Sequence, residues 1–548
     1  DADIVEIIVY DVFSVADTVS KADGGQFDGN VTMAGTLATT GNATFSGEII
    51  TSTSGTSNVR IGENAGDALA SGGNENVLVG DEAGTALTTG DDNVAIGYRA
   101  LSTEDTGTRS VAIGHDALRV QNNDAANYNV AVGFGSGEAV TTGQYNTFVG
   151  GLSGDALTTA STNTALGYES LTALTTGNSN VAIGYRALKT DTLGDRNVAV
   201  GNEALATQNF SSSTDSYNTA VGYQAGNDIT TGVQNVLIGA RTGDALTDAD
   251  FNVAVGQFAL SSDTQGSKST AIGEQALSTQ NFTSATDTHN TAVGFKAGLS
   301  VTTGQFNTLI GSESGDALTS GGYNTAVGVR ALSSENGHGS NVAIGYETLR
   351  DLDAGADGNN VAVGIIAGRS LTTGIDNVII GASAGDALTD ADYNVAIGKV
   401  ALSSDTKGSK SVAIGNGALF TQNFTSSTDS HNTAVGFDAG GAVTTGIGNT
   451  ILGSGAGSVF TTGLRNTLLG YNAGLALATS NSDNTFIGQG AGSAITSGDA
   501  NTIIGRYNGS GSLDLRTASN NIVLSDGDGN ARGYYLGSDT TWYFPDVY

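Results

Sequence analysis

One hydrophobic pattern runs through most of this chain. In NVAIG, residues 93 to 97, a short apolar run opens on a polar Asn and closes on Gly. It returns as SVAIG from Ser110, NVAVG from Asn129, NTFVG from Asn146 and NTALG from Asn163. The longer phrase NVAIGYRAL occurs twice, at 93 to 101 and at 180 to 188. The closing glycines run from Gly62 to Gly505, mostly 17 residues apart and otherwise one to four further. A fixed short period of this kind predicts a solenoid, because a single unit cannot bury its apolar side and must stack on its neighbours.

Within a unit the pattern predicts strand, turn, strand. Alternation places Val94 and Ile96 on one face and Ala95 on the other. Both faces are apolar, since the third position is Ala in many units and becomes Leu78, Phe148, Leu237, Leu309, Ile379, Ile451, Leu468, Phe486 and Ile503 in others. One face fills the coil, so the other needs a partner. Small Ala on that second face predicts close approach of another chain and lateral association of identical rods. Tyr98 to Leu101 form a second short segment, and the polar stretch after it, often ending in Thr-Thr-Gly, is the turn. The opening Asn suits a tight bend, with its amide bonding to the same Asn one coil away. At about 4.8 Å per coil, the 26 units from Gly62 to Gly505 predict a rod of roughly 120 Å.

A slower rhythm overlies the first. Related inserts, TQNFSSSTDSYN before Thr219, TQNFTSATDTHN before Thr291 and TQNFTSSTDSHN before Thr433, keep a four-coil beat, as does GDALT at Gly243, Gly315 and Gly385, with a further copy at Gly154. Duplication of a four-coil block would set equivalent loops in rows along the rod. The rows are candidate contact surfaces, although tolerance of loops for insertion accounts for them as well.

The units NVAIGYRAL and NTAVGYQAG resemble the head repeats of trimeric autotransporter adhesins over about residues 58 to 505. That resemblance implies a left-handed parallel β-roll with three rolls packed side by side. The coil here is longer and opens on Asn, and the sequence shows neither the heptad stalk nor the membrane-anchor barrel of those adhesins. The ends are similar to another family. Residues 31 to 54 divide into sixes, VTMAGT, LATTGN, ATFSGE and IITSTS, a beat that suits three chains winding around one another. The segment VADTVSKADGGQFDGNVTMAGTLATTGNATFSG resembles the start of bacteriophage tail-fibre shafts, and LDLRTASNNIVLSDGDGNARGYY resembles segments near their distal ends.

Composition narrows the picture further. There are 81 Gly but one Pro, Pro545, and the glycines recur at fixed places, so disorder is excluded. The formal net charge of -33 argues against nucleic acid phosphate and anionic lipid as partners and reads first as a solvated surface. No cysteine is present, so disulfides and thiolate metal sites are ruled out. The most apolar stretch, Ile4 to Val15, is short and carries Glu6 and Asp11, which does not suit a membrane span. A chain opening on Asp1 reads as cut from something longer.

Candidate chemistry is thin. Gly381 to Gly385 spell G-x-S-x-G, but equivalent places read GENAG, GARTG and GSESG, so Ser383 is a filler in a turn and not a nucleophile. His115, His289, His338 and His431 read as loop residues without the clustering a zinc site needs. Asp526 to Asn530 read as a hairpin turn before they read as a Ca²⁺ loop. Thr-Thr-Gly recurs mostly one coil in four, which breaks any continuous threonine row for ice. Trp542, Tyr543 and Phe544 are either a receptor-binding tip or a plug over the last coil.

The expectation is therefore an all-β, trimeric β-roll or β-helix solenoid of about 26 coils. Its parts are the end of an attachment domain and linker at 1–28, a triple-stranded β shaft at 29–57, the repeat array at 58–507 and a β cap or tip at 508–548. The resemblance implies a non-enzymatic phage tail fibre on the virion. It would be a homotrimer without cofactor or metal, joined at its N-terminal side to a tail or baseplate protein. Its target would be a host-surface glycan or outer-membrane component, with no nucleic acid bound and no membrane inserted. The alternative is a secreted filament or bacterial surface adhesin, in which Ile4 to Val15 adds a strand to the next subunit.

Overall fold

A computed structural model describes residues 54–511, 513–539 and 541–545. The segment 1–28 and the hexads up to residue 53 lie outside the described residues. Within them the chain is all-β, with no helix, and forms a parallel solenoid of about 27 turns. No helix is long and apolar enough to cross a membrane among these residues.

Each coil contributes one strand of three residues, from Val59–Ile61 through Val94–Ile96 to Thr502–Ile504. Each strand pairs in parallel with its counterpart one coil on, as Val94 with Val111, Ala95 with Ala112 and Ile96 with Ile113. The register never slips, because every coil presents the same three positions. The stack continues past residue 507, where Ile522–Ser525 pairs in parallel with Thr502–Ile504. Ala531–Tyr535 then folds back antiparallel on it, and Trp542–Tyr543 pairs antiparallel with that strand.

The second strand predicted at Tyr98 to Leu101 is instead a run of tight turns, with Arg99 and Leu101 both at positive φ. The chain must bend sharply here to return to the next coil. Gly97 begins the bend at φ +130°, and a Cβ on it would stand 2.5 Å from the carbonyl oxygen of Gly114 on the following coil. Only glycine tolerates both the backbone angle and the approach.

The two faces of the strand are the reverse of the sequence expectation. Ala95, Leu78, Phe148 and Phe486 are fully buried inside the coil, whereas Val94 and Ile96 are half-exposed on the outside. Alanine fits the interior because other side chains supply the missing volume, either from a second position of the same coil or from the neighbouring coils. The latter holds in the coils of Ala131, Ala220, Ala292, Ala362 and Ala434, where the second position is also Gly, as Leu118 and Phe148 do around Gly137. Four residues after the closing glycine, coils with Ala95, Ala112, Ala165 or Ala182 carry Leu101, Leu118, Leu171 or Leu188, each fully buried at positive φ. Where the third position is itself large, as at Leu78, Phe148, Leu237, Leu309 and Ile379, the second position is Gly84, Gly154, Gly243, Gly315 and Gly385. A Cβ on Gly154 would stand 2.6 Å from the Phe148 ring, so one large side chain occupies the space that two positions share.

The opening asparagines form a buried ladder, broken only where Ser110, Ser269 and Ser411 open a coil. The backbone N–H of Asn146 donates to Asn129 Oδ1 on the preceding coil at 2.8 Å, and its Nδ2 donates to the Ala160 carbonyl across its own coil at 2.9 Å. The same pair of bonds recurs at Asn163, Asn180 and Asn235. Each side chain thus fixes the register between coils and also closes a coil. Buried amides with all their partners in place hold one arrangement against its alternatives.

Candidate functional site

Two regions carry the features from which function can be read: the outer sheet face and a buried polar row inside the coils. The outer face follows directly from strand alternation. Its column at the fourth position of each unit includes Ile238, Ile272, Ile310, Ile344 and Ile380, exposed between 36% and 39%. Val and Thr fill the parallel column beside it. Aromatic rings border the face on both sides. After the closing glycine, His115 stacks on Phe134 at 5.2 Å between centroids with Tyr98 tilted against it at 5.1 Å, and before the opening Asn, His289, Phe306 and Tyr323 stack at 5.3 and 5.0 Å. Hence His115 and His289 are members of ring stacks one coil apart.

The inserts at the four-coil beat fold back onto the rod. Thr214–Asp215 pairs in parallel with Gly194–Asp195, Thr286–Asp287 with Gly266–Ser267, and Thr428–Asp429 with Gly408–Ser409. Lys268 and Lys410 bridge to Asp287 and Asp429, at 2.5 Å in each case. These pairs are exposed and add little stability singly.

The polar row lies seven residues after each closing glycine. This position is mostly aliphatic and buried, as at Leu87, Val140, Leu157 and Leu174. At intervals it becomes a fully buried acid followed one coil later by a fully buried Gln: Glu104 with Gln121, Asp191 with Gln208, Asp263 with Gln280 and Asp405 with Gln422. Gln280 Nε2 donates to Asp263 Oδ2 at 2.5 Å and to Ser269 Oγ at 2.9 Å, and its Oε1 accepts from Asn290 Nδ2 at 2.9 Å. The carboxylate also accepts the N–H of Gly266 at 3.0 Å and of Phe282 at 3.1 Å. Ser269 interrupts the asparagine ladder here, and the glutamine restores it. Burial still pushes the Asp191 carboxyl above its ordinary range, although Gln208 Nε2 donates to it at 2.6 Å.

A fifth acid, Glu335, occupies the same place and is also fully buried. One coil later the residue is Leu352, which has no side-chain amide to offer the carboxylate. Glu335 accepts the N–H of His338 at 3.1 Å and of Ala354 at 3.2 Å, and burial pushes its carboxyl up. One ligand atom from each of Glu335, His338 and Asp353 lies within 4.8 Å of the other two. The sequence reading of His338 as an unclustered loop residue missed this, because the three residues span 18 positions and meet only across adjacent coils.

Ser383 has φ +53°, like Asn64, Arg241 and Glu313 at the equivalent turn position. The threonine hydroxyls are engaged along the rod, Thr141 Oγ1 donating to the Thr158 carbonyl and Thr158 Oγ1 to that of Thr175, each at 3.1 Å. Asp526 accepts the N–H of Asn530 at 2.8 Å and Arg532 Nε at 2.7 Å, which closes a hairpin turn and holds its carboxyl below the usual range. Trp542, Tyr543 and Phe544 are exposed at the last strand, with Trp542 and Phe544 stacked at 6.1 Å and Tyr543 stacked on Tyr534 at 5.1 Å. They line a ridge. A separate groove of about 470 Å³ opens beside the cap, lined by Tyr471, Asn472, Gln489, Arg506 and Asp528 among others.

Comparison with protein-family models, with curated proteins and with solved structures finds no match. Function has to be read from the geometry.

Proposed function

We propose that this chain is a subunit of a bacteriophage tail fibre, a non-enzymatic homotrimeric rod on the virion that spans distance and binds the host cell surface. The observation that supports it is the outer face. Strands spaced about 4.8 Å apart over about 27 coils, each roughly 10 Å across, make a largely apolar strip of about 1,300 Å² on one chain, with Ile, Val and Leu in one column and Val and Thr in the other. That exceeds the roughly 800 Å² per partner of a standard stable interface, and monomeric soluble proteins rarely leave so large an apolar strip open. Three copies packing this face against one another would cover it along the whole rod. The N-terminal side would join a tail or baseplate protein. The exposed rings Trp542, Tyr543 and Phe544, or the insert rows, would meet a host glycan or outer-membrane component.

Light scattering under native conditions tests the assembly, with an expected mass of three times the 54.7 kDa chain. A mass of one chain rejects the trimer. Electron micrographs with antibody to this chain should show label on virion tails. Label on bacterial surfaces instead would favour the filament or adhesin reading.

A further inference from the structure

Five coils present a buried acid at one equivalent place, and four of them treat it identically. In those four the residue three positions on is Gly107, Gly194, Gly266 or Gly408, the residue one coil later is Gln, and the residue after that is Asn122, Asn209, Asn281 or Asn423. The glycine is required there, because a Cβ on Gly194, Gly266 or Gly408 would overlap the carboxylate of Asp191, Asp263 or Asp405. In the fifth coil all three positions differ together. Glycine becomes His338, glutamine becomes Leu352 and asparagine becomes Asp353. The neutral donor that stabilises a buried carboxylate is lost, and two metal-ligating side chains appear beside it.

The local geometry has an unmet requirement as well. His338 Nδ1 is buried without a hydrogen-bond partner, 3.5 Å from Glu335 Oε1. That separation is too long for a good hydrogen bond. It is close to the roughly 3.4 Å between two ligands that each lie about 2.05 Å from one tetrahedral ion. Asp353, exposed at the rim, supplies the third ligand. Its Oδ2 accepts from Asn336 Nδ2 at 3.1 Å, which orients the carboxylate from outside.

We infer that Glu335, His338 and Asp353 form a binding site for a first-row divalent cation, with Zn²⁺ the best fit to one imidazole nitrogen and two carboxylate oxygens. The ion replaces the missing glutamine: it neutralises the buried Glu335 and ties the coil of Asp353 to the coil of Glu335. Because Asp353 is exposed, solvent water reaches the fourth position. The inference is independent of the fibre reading, since it concerns only how this chain holds two coils together.

Titration calorimetry of the full chain with ZnCl₂, after chelator treatment, is the test. One site per chain is expected, and bound Zn²⁺ should raise the unfolding temperature. His338→Gly and Asp353→Asn each install the residue that the sibling coils carry, so both variants are compatible with the fold. Each should weaken binding by at least the roughly tenfold that loss of an outer-shell partner of a ligand alone costs. The triple variant that adds Leu352→Gln should bind no Zn²⁺ at this site and show no Zn²⁺-dependent rise in unfolding temperature. Absence of a one-per-chain site in the native sequence, or equal affinity in His338→Gly and Asp353→Asn, overturns the inference.

Discussion

The inner and outer faces of the same strands are both apolar, yet they vary by different rules. Inside, the third position ranges from Ala95 to Phe148 and is fully buried in every coil after the first, where Arg60 stands half-buried at the end of the described stack. Outside, the fourth position is held to Ile, Val and Leu, and much of it stays open in the single chain. A sealed interior tolerates a change in size when a second position compensates. An outer sheet face has no such second position, and β-branched residues suit its flat pleated surface. Size therefore varies in the core, where neighbours compensate, whereas the outer fourth position keeps one side-chain type along its length.

The sharpest way to break this contrast is to disturb one half of a compensating pair. Leu101→Gly should empty the space beside Ala95 and cost about 2–5 kcal/mol, offset slightly by relief at its positive φ. Ala95→Leu alone should overfill the coil and cost about 1–3 kcal/mol. The double variant rebuilds the arrangement found at Leu78 with Gly84, so it should regain most of the loss. Hydrogen exchange across the neighbouring strands would report it. A double variant as unstable as the sum of its singles would show that the two positions do not share one space.

The repeat, the parallel register and the asparagine ladder were legible in the sequence because each depends on period alone. The inward face was not, because Val94, Ala95 and Ile96 are all apolar, and alternation gives two faces without saying which is inside. The signal that decides it is the pairing of Ala95 with Leu101 and of Leu78 with Gly84, two positions six residues apart. The second strand failed for a related reason: Tyr98 to Leu101 look extended by composition, yet the turn needs positive φ at Arg99 and Leu101. The exposure of Trp542, Tyr543 and Phe544 fits a tip, while the pairing of Trp542–Tyr543 with Ala531–Tyr535 equally fits a cap over the last coil. Glu335 and Asp353 were invisible until the coils were aligned.

The polar row sharpens the contrast from within. Gln280→Leu copies at Asp263 the change that nature made beside Glu335, but without a histidine to answer it. A buried carboxylate then loses its amide donor, at a cost of about 1–3 kcal/mol measured by chemical denaturation. No loss of stability would mean that the backbone N–H groups of Gly266 and Phe282 suffice on their own.

Acidity should act on the interior with a definite sign. Burial pushes up the carboxyls of Asp191 and Glu335, and of Asp155, Asp244, Asp316 and Asp386 in the GDALT phrases. A raised folded-state value means that the native chain binds more protons, so these groups contribute most below their unfolded values, 3.8 for Asp and 4.5 for Glu, and lose that contribution as pH rises through their folded values. Arginine-paired carboxyls act oppositely: Asp514, held at about 2 by hydrogen bonds from Arg516, loses its contribution as pH falls below 3.8. The unfolding temperature should therefore be higher near pH 4 than at pH 7. A monotonic rise from pH 4 to pH 7 would show that the partners of the buried acids already offset their burial.

The outer face should give the smallest effect on the single chain and a large one on assembly. Ile238, Ile272 and Ile310 are half-open, so replacing all three by Lys removes little buried area and should change chain stability by about 0.5 kcal/mol or less per site. In a trimer the same change brings nine ammonium groups against apolar surface within a few coils. Light scattering should then report a lower mass while circular dichroism stays native. If the assembled mass persists, the copies meet through another surface, and the open strip between the aromatic rows becomes the place to look for a ligand.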